Sequence, residues 1–297
     1  MMRISIARNR PDGAPSFIMN DSLPPGLYIV ATPIGNLGDI TIRAADVLRK
    51  AQLVAAEDTR VTAKLLNHLG VKVPMASYHD HNADRVRPEL LDKAREMAVA
   101  LVTDAGTPLI SDPGYKLVRT AHELGIPVTT LPGPCAAVAA MTVAGLPTDR
   151  FLFAGFLPPK TAGRTKVLEE LKPIRATLIF YETGPRLADT LSDIAAVLGN
   201  REVAIARELT KLHEEVRRGQ AEDLAAAIAA GNPPKGEIVL VVGPPIEETF
   251  TAEAIEDRLK AALETMTVKE AAKHVAAATG GNRQELYKLA LDLTGRT

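Results

Sequence analysis

The chain has no tryptophan, one cysteine, five tyrosines and six phenylalanines in 297 residues. The lone Cys135 excludes an internal disulfide framework and suits a reducing compartment, read here as the cytoplasm. So few aromatics argue against a base-stacking platform as the main recognition device. The formal net charge is −1, so any nucleic-acid surface must be local. No apolar stretch approaches the ~20 residues of a spanning helix, and no membrane partner is expected. Residues 1–25 lack a continuous apolar run and read as a disordered leader, not a signal peptide. The dinucleotide fingerprint GxGxxG is missing, since Gly35 and Gly38 stand alone in PIGNLG, and there is no Walker A sequence. These gaps weaken NAD and ATP chemistry. No Cys/His cluster has metal-site spacing, and the adjacent His79, Asp80 and His81 would point to opposite faces of an extended chain, so no metal is expected.

What is present is a set of strand-end loops. Leu101–Gly114, LVTDAGTPLISDPG, opens on an apolar run and passes into a turn holding Asp104, Gly106, Pro108, Asp112, Pro113 and Gly114. A buried strand ending in a Gly/Pro-rich loop before a helix is how open α/β sheets build ligand sites. Glycine lets backbone approach a ligand, and proline stiffens the loop. Ala31–Asp39 (ATPIGNLGD) and Leu131–Ala137 (LPGPCAA) are similar. Three such loops on one sheet predict a composite pocket for a nucleotide-sized cofactor.

Strand and helix alternate from Leu27 to Leu131, which predicts a mostly parallel sheet with helices on both faces. Strands are expected at Leu27–Thr32, Leu53–Ala56, Val99–Thr103 and Val128–Leu131, with a short extended piece at Met75–Tyr78. Helices are expected at Thr41–Ala51, Thr59–Leu69, Ala83–Ala98, Tyr115–Leu124 and Pro134–Ala144. Phe151–Pro159 reads as a strand running into a linker. Strands Thr177–Tyr181, Val203–Arg207, Glu214–Gly219 and Glu237–Val242, with helices Arg186–Leu198 and Leu224–Ala230, form a second α/β region. Three helices, Ala252–Leu263, Val268–Ala278 and Arg283–Leu293, make a tail with the look of a helix-turn-helix. Thr267 with Glu270 and Asn282 with Glu285 read as capping boxes. The fold class is α/β: a domain over 26–150 and another over 151–245 face each other across a cofactor cleft, and a small helical domain spans 251–297.

The segments ATPIGNLGDIT, AEDTR (Ala56–Arg60), TDAGTPLISDPG, LPGPCA, FYETGPR (Phe180–Arg186) and RELTKLHEE (Arg207–Glu215) carry a resemblance. Residues 27–243 resemble the tetrapyrrole methylase superfamily, the class III S-adenosylmethionine-dependent methyltransferases. Within it the segments resemble the bacterial 16S ribosomal RNA cytidine 2′-O-methyltransferases, and the helical tail is similar to that subfamily's small C-terminal domain. Tetrapyrrole-modifying relatives typically carry a GPGDP-like first loop where this chain has PIGNLGD, which favours RNA over a porphyrin or corrinoid. The resemblance implies a homodimer, S-adenosylmethionine bound between two α/β domains, and methylation of a decoding-centre cytidine in 16S rRNA or the small ribosomal subunit. Two alternatives stay open: a tetrapyrrole methyltransferase on the same scaffold, and a non-catalytic RNA-binding assembly factor.

Methyl transfer from a sulfonium needs no metal. It needs the ribose oxygen at about 3–3.5 Å from the methyl carbon, in line with the sulfur, and removal of the hydroxyl proton. The resemblance places the cofactor on Asp104, Gly106 and Pro108, with Pro33, Pro134, Cys135 and Ala136 from the flanking loops and Tyr181 and Ala206 from the second domain. Glu182, Asp58 and Glu57, carboxylates at strand ends, are the candidate bases; each has an ordinary reading as the partner of Arg60, Arg186 or Arg207. Lys160, Arg164 and Lys166 on the linker, with Arg60 and Arg186 at the cleft mouth, are the candidate phosphate contacts. Lys269, Lys273, Arg283 and Lys288 offer a basic face on the tail.

Overall fold

The computed structural model describes residues 22–245 and 251–295. The expected leader therefore lies, up to residue 21, outside the described residues. Near its end Leu23 is buried beside Tyr28, whose hydroxyl donates to the Pro24 carbonyl at 2.9 Å. The described residues up to Pro245 form one compact unit, and the C-terminal helices form another.

The first sheet contains β1 (Gly26–Val30), β2 (Leu53–Ala56), β3 (Met75–Ser77), β4 (Ala98–Val102) and β5 (Val128–Leu131). Every pair is parallel, in the order β3-β2-β4-β1-β5. β1, β2 and β4 are buried along their whole length, as a parallel sheet with both faces covered requires. One face packs on α1 (Ile42–Lys50) and α2 (Thr59–His68), the other on α3 (Ala83–Glu96) and α4 (Tyr115–Glu123). The helix starts follow local chemistry: the Thr41 and Asp58 side chains accept from the Ala44 and Arg60 N–H groups. Because β4 returns between β2 and β1, and β5 lies on the far side of β1, the loops after β1, β4 and β5 converge at a topological switch point.

The second sheet runs β6 (Phe151–Phe156), β7 (Thr177–Thr183), β10 (Glu237–Val242), β8 (Glu202–Arg207) and β9 (Glu215–Gln220). Only β6 and β7 are parallel; the remaining pairs are antiparallel. Alternate residues face opposite ways. Leu178, Phe180, Val203, Ile205, Leu240 and Val242 pack under α6 (Thr161–Leu171), α7 (Leu187–Leu198) and α8 (Ala221–Ala229). Ile179, Ala204, Ala206, Val239 and Val241 face α5 (Ala136–Ala144), the last helix of the first half. Small side chains on α5 allow this close packing, which makes one unit of two expected domains.

The helix α6 corrects one expectation. The stretch after Pro159 is not a linker loop. Arg164 occupies a core-facing position of α6 and interrupts its apolar spacing, while Pro158, Pro159 and Gly163 read as breakers.

The C-terminal unit holds α9 (Ala252–Leu263), α10 (Val268–Thr279) and α11 (Arg283–Thr294) around Leu259, Ala271, Ala272, Val275, Leu286 and Ala290. Thr267 and Glu270 form the expected capping box. Asn282 caps α11 by accepting from Gln284, and the reciprocal bond expected of Glu285 is not the one formed. Lys269, Lys273, Arg283 and Lys288 are exposed. Among the described residues no helix is long and apolar enough to cross a membrane.

Candidate active site

The converging loops are tied to one another. Thr32 and Gly106 exchange two backbone hydrogen bonds, 2.9 Å and 3.1 Å, joining the β1 and β4 loops. Gly106 does this at φ +86°, where a side chain would be strained. The Thr107 hydroxyl donates to the Pro134 carbonyl at 2.9 Å, joining the β4 and β5 loops. The Asp58 N–H donates to the Asp104 carboxylate at 3.0 Å, joining the β2 loop as well. Just beyond Thr107, Leu109 and Ser111 have φ of 74° and 62°, a local backbone strain in the loop that carries Asp112.

These loops and the inner face of the second sheet enclose a cavity of about 300 Å³, the lower end of the range for ligand pockets. Of the expected cofactor residues, Asp104, Gly106, Cys135, Ala136, Tyr181 and Ala206 line it. Pro33 and Pro108 are buried behind the loops, and neither they nor Pro134 reach the cavity wall. Pro134 acts instead through its carbonyl on Thr107.

Glu182 and Glu237 border the cavity from the second sheet, and three carboxylates reach the lining from the loops of the first: Glu57, Asp104 and Asp112. Burial, chiefly, raises the pKa of all three. Asp112 goes furthest, pushed up to about 6 by burial and then by the negative charge of Glu57. Asp112 is the site residue that sequence reasoning missed. It stood in the SDPG turn, but nothing local said that this turn folds back over the sheet end. Tyr181 is pushed up to about 12, again mainly by burial, so its phenol keeps its proton.

Two expected bases are placed elsewhere. Glu182 follows Tyr181 on β7, and the pleat turns its carboxylate to the opposite face of the sheet. Its side chain is fully buried and accepts from the Thr190 hydroxyl at 2.7 Å and the Thr183 N–H at 2.7 Å, with Arg186 at 3.3 Å. Glu182 borders the cavity without offering it a free carboxylate. Asp58 caps α2 and pairs with Arg60, which holds its pKa down at about 2, and it is absent from the lining.

The expected phosphate contacts also divide. Arg164 has a 2 % exposed side chain and bonds Asp193 at 2.6 Å, so it holds α6 to α7 and cannot meet RNA. Arg186 donates to the Leu157 carbonyl at 2.6 Å and sits beside Glu182, so its half-buried guanidinium is engaged within the fold. Lys160 and Lys166 are exposed on α6 and at its start. Arg60, with an 87 % exposed side chain, pairs with Asp58 and follows the cavity-lining Glu57 by three residues. Among the described residues no group of three or more His, Cys, Asp or Glu side chains is arranged to hold a metal.

Among solved structures, the fold is shared with uroporphyrin-III-C-methyltransferase from Thermus thermophilus (TM-score 0.55, 24 % identity, 74 % of this chain and 94 % of that one). It is shared too with diphthine synthase (TM-score 0.57, 14 % identity, 73 % and 89 %). The family described as Tetrapyrrole (Corrin/Porphyrin) Methylases matches residues 26–225, and the RsmI C-terminal HTH domain matches residues 249–294. Ribosomal RNA small subunit methyltransferase I of Erythrobacter litoralis is 58 % identical over 92 % of this chain and 97 % of its own. The protein of the same name from Escherichia coli O157:H7 is 49 % identical over 91 % and 96 %. On the strength of the sheet topology, the tied loops and these matches along nearly the whole chain, it belongs to the ribosomal RNA small subunit methyltransferase I family, built on the tetrapyrrole methylase fold.

Proposed function

We propose that the chain methylates the ribose 2′-oxygen of a cytidine in the decoding centre of 16S ribosomal RNA, with S-adenosylmethionine as donor. The observation that carries this reading is the cavity at the switch point, walled by three carboxylates on one side and by apolar residues on the other. When bound, the donor supplies an electrophilic methyl group on a cationic sulfur. The cavity suits it: Glu57, Asp104 and Asp112 contribute negative charge, and among the described residues no lysine or arginine is in the lining. Asp104 would accept from the donor's ribose hydroxyls or amino group through the oxygen that Asp58 leaves free. Backbone at Gly106, Ala136 and Ala206 and the packed ring of Tyr181 would hold its shape without adding cationic charge.

The proton acceptor we assign is Asp112. Its carboxyl lines the cavity, and burial pushes its pKa up to about 6, close to the working pH as a general base requires. Glu57 is the second carboxylate in reach and keeps the Asp112 pKa high. Arg60, Lys160 and Lys166 are proposed to meet RNA phosphates. Two copies are proposed to pair in the cytoplasm through the exposed apolar residues of α5 and β6, Val138, Val143 and Phe151, the first and last of which border a shallow depression beside Gly145.

The test is radiolabelled methyl transfer to small-subunit particles, followed by mapping of the modified ribose. Label on a cytidine 2′-oxygen is expected. Label on a base, or on a tetrapyrrole offered instead, overturns the reading.

A further inference from the structure

The chain is poor in aromatics, yet three of them meet at the cavity, Tyr181 and Phe156 in its lining and Phe153 packed against Tyr181. The Tyr181 ring lies 4.8 Å from Phe153 and 5.5 Å from Phe156, edge to face in both pairs. Phe153 and Tyr181 pack against the core. Phe156 does not: it lines the cavity and is 55 % exposed.

A break in strand register puts it there. On β6, Phe153 pairs with Ile179 of β7, but Gly155 pairs with Phe180 and Phe156 with Tyr181, so Ala154 is an extra residue. Such bulges are rare in parallel pairs and re-aim a side chain. In an unbroken ladder Phe156 would oppose Glu182 and face α6 and α7, as Leu152 and Ala154 do. The extra residue reverses the parity from Gly155 onward, and Phe156 joins Tyr181 on the cavity side. Gly155 makes the turn at φ +66°, and a side chain there would start 3.0 Å from the Ser111 hydroxyl in the loop that carries Asp112. The bulge is thus fitted against the loop opposite.

We infer that Phe156 is the stacking platform for the pyrimidine base of the nucleotide being methylated. The inference rests on the proposed function. A 2′-oxygen reaches a walled cavity only if its nucleotide leaves the RNA helix, and an unstacked base is then held on an aromatic face. Phe156 is the cavity's exposed aromatic ring, braced edge-on by Tyr181. It stands on the second sheet, across from the loops that carry the carboxylates.

The experiment compares wild type with Phe156→Leu and Phe156→Trp. Leucine keeps apolar bulk without a π face, so loss of packing and loss of stacking separate. Methyl transfer to small-subunit particles gives KM and kcat. Calorimetry with S-adenosylmethionine gives donor affinity, and anisotropy with a short single-stranded oligocytidylate gives base affinity directly. Phe156→Leu is expected to raise KM and the oligocytidylate Kd roughly tenfold or more, with donor affinity within about twofold of wild type, and Phe156→Trp to restore both. Leucine behaving as phenylalanine overturns the inference. A parallel loss of donor affinity also overturns it, by assigning the ring to the donor's adenine. Should the wild type transfer no methyl group to RNA, the functional reading fails. The oligocytidylate comparison then still decides the platform, since equal Kd values for wild type and Phe156→Leu refute it.

Discussion

The two sheets make opposite use of charge. At the strand ends of the parallel sheet, Glu57, Asp104 and Asp112 face the cavity, and burial raises all three pKa values. On the mixed sheet and its helices, Glu182 is held by Thr190 and Arg186, Arg164 by Asp193, and Arg207 by Glu215 at 3.1 Å. The mixed sheet gives the cavity mainly apolar and aromatic surface. Parallel strands all end on one side, so their loops gather there and can pool charge. In the mixed sheet, successive residues alternate between cavity and core, and a carboxylate one position out of phase becomes a structural group. The comparison teaches that a carboxylate at a strand end is informative only when its face is known.

The sharpest way to break this comparison is to exchange roles. Asp112→Asn is expected to lower the methyl-transfer rate by about 100-fold or more. In wild type the rate should rise as pH passes through about 6 and Asp112 ionises, and that limb should vanish in the variant. Initial rates between pH 5 and 8 check both. A retained limb would assign the proton to another group.

Arg164→Ala should destabilise by about 3 kcal/mol, because Asp193 is left half-buried without its partner. Urea unfolding measures this. The salt dependence of RNA binding should be unchanged in Arg164→Ala and flattened in the Lys160→Glu, Lys166→Glu double variant. A flattened slope in Arg164→Ala would return that cation to the RNA surface.

Glu182→Gln should cost about 2 kcal/mol of stability by disturbing buried hydrogen bonds, while transfer per folded molecule persists. Loss of transfer in a folded variant would restore Glu182 as a base. Asp104→Ala should weaken donor binding about tenfold by calorimetry, consistent with the loss of a charge-assisted hydrogen bond. Unchanged affinity would remove Asp104 from the donor site.

The smallest effect is again at Asp112. Its folded pKa of about 6 lies above the ordinary 3.8, so the folded chain binds that proton more tightly than the unfolded chain does. Folding is penalised above pH 6 and not below about pH 3.8. After discounting for partial exposure, Asp112→Asn should stabilise by about 1 kcal/mol at pH 8 and by nothing at pH 3.5. Thermal melts at the two pH values read it.

Much of the parallel sheet was legible in the chain. Strands such as Leu53–Ala56 and Val128–Leu131 are continuous apolar or β-branched runs between turn residues, and the Thr267 cap announces its helix. The three loops were legible as a pocket because glycine and proline cluster at each strand end. The helix α6 was not, because an arginine buried against Asp193 takes the place of an apolar residue. The fates of Glu182 and Asp112 were not legible either. One depends on the pleat of β7, and the other on how a loop folds over the sheet.

Local chemistry determined the elements, the three strand-end loops, the helical tail and the family, since each depends on residues near in sequence. Tertiary structure decided which side chains the cavity receives. It turned Glu182 and Arg164 into the core and brought Asp112 to the wall. Through one extra residue in β6 it also swung Phe156 from the helix side to the cavity. Facing in a pleated sheet changes with every residue of register, and register is set by partners far away in the chain.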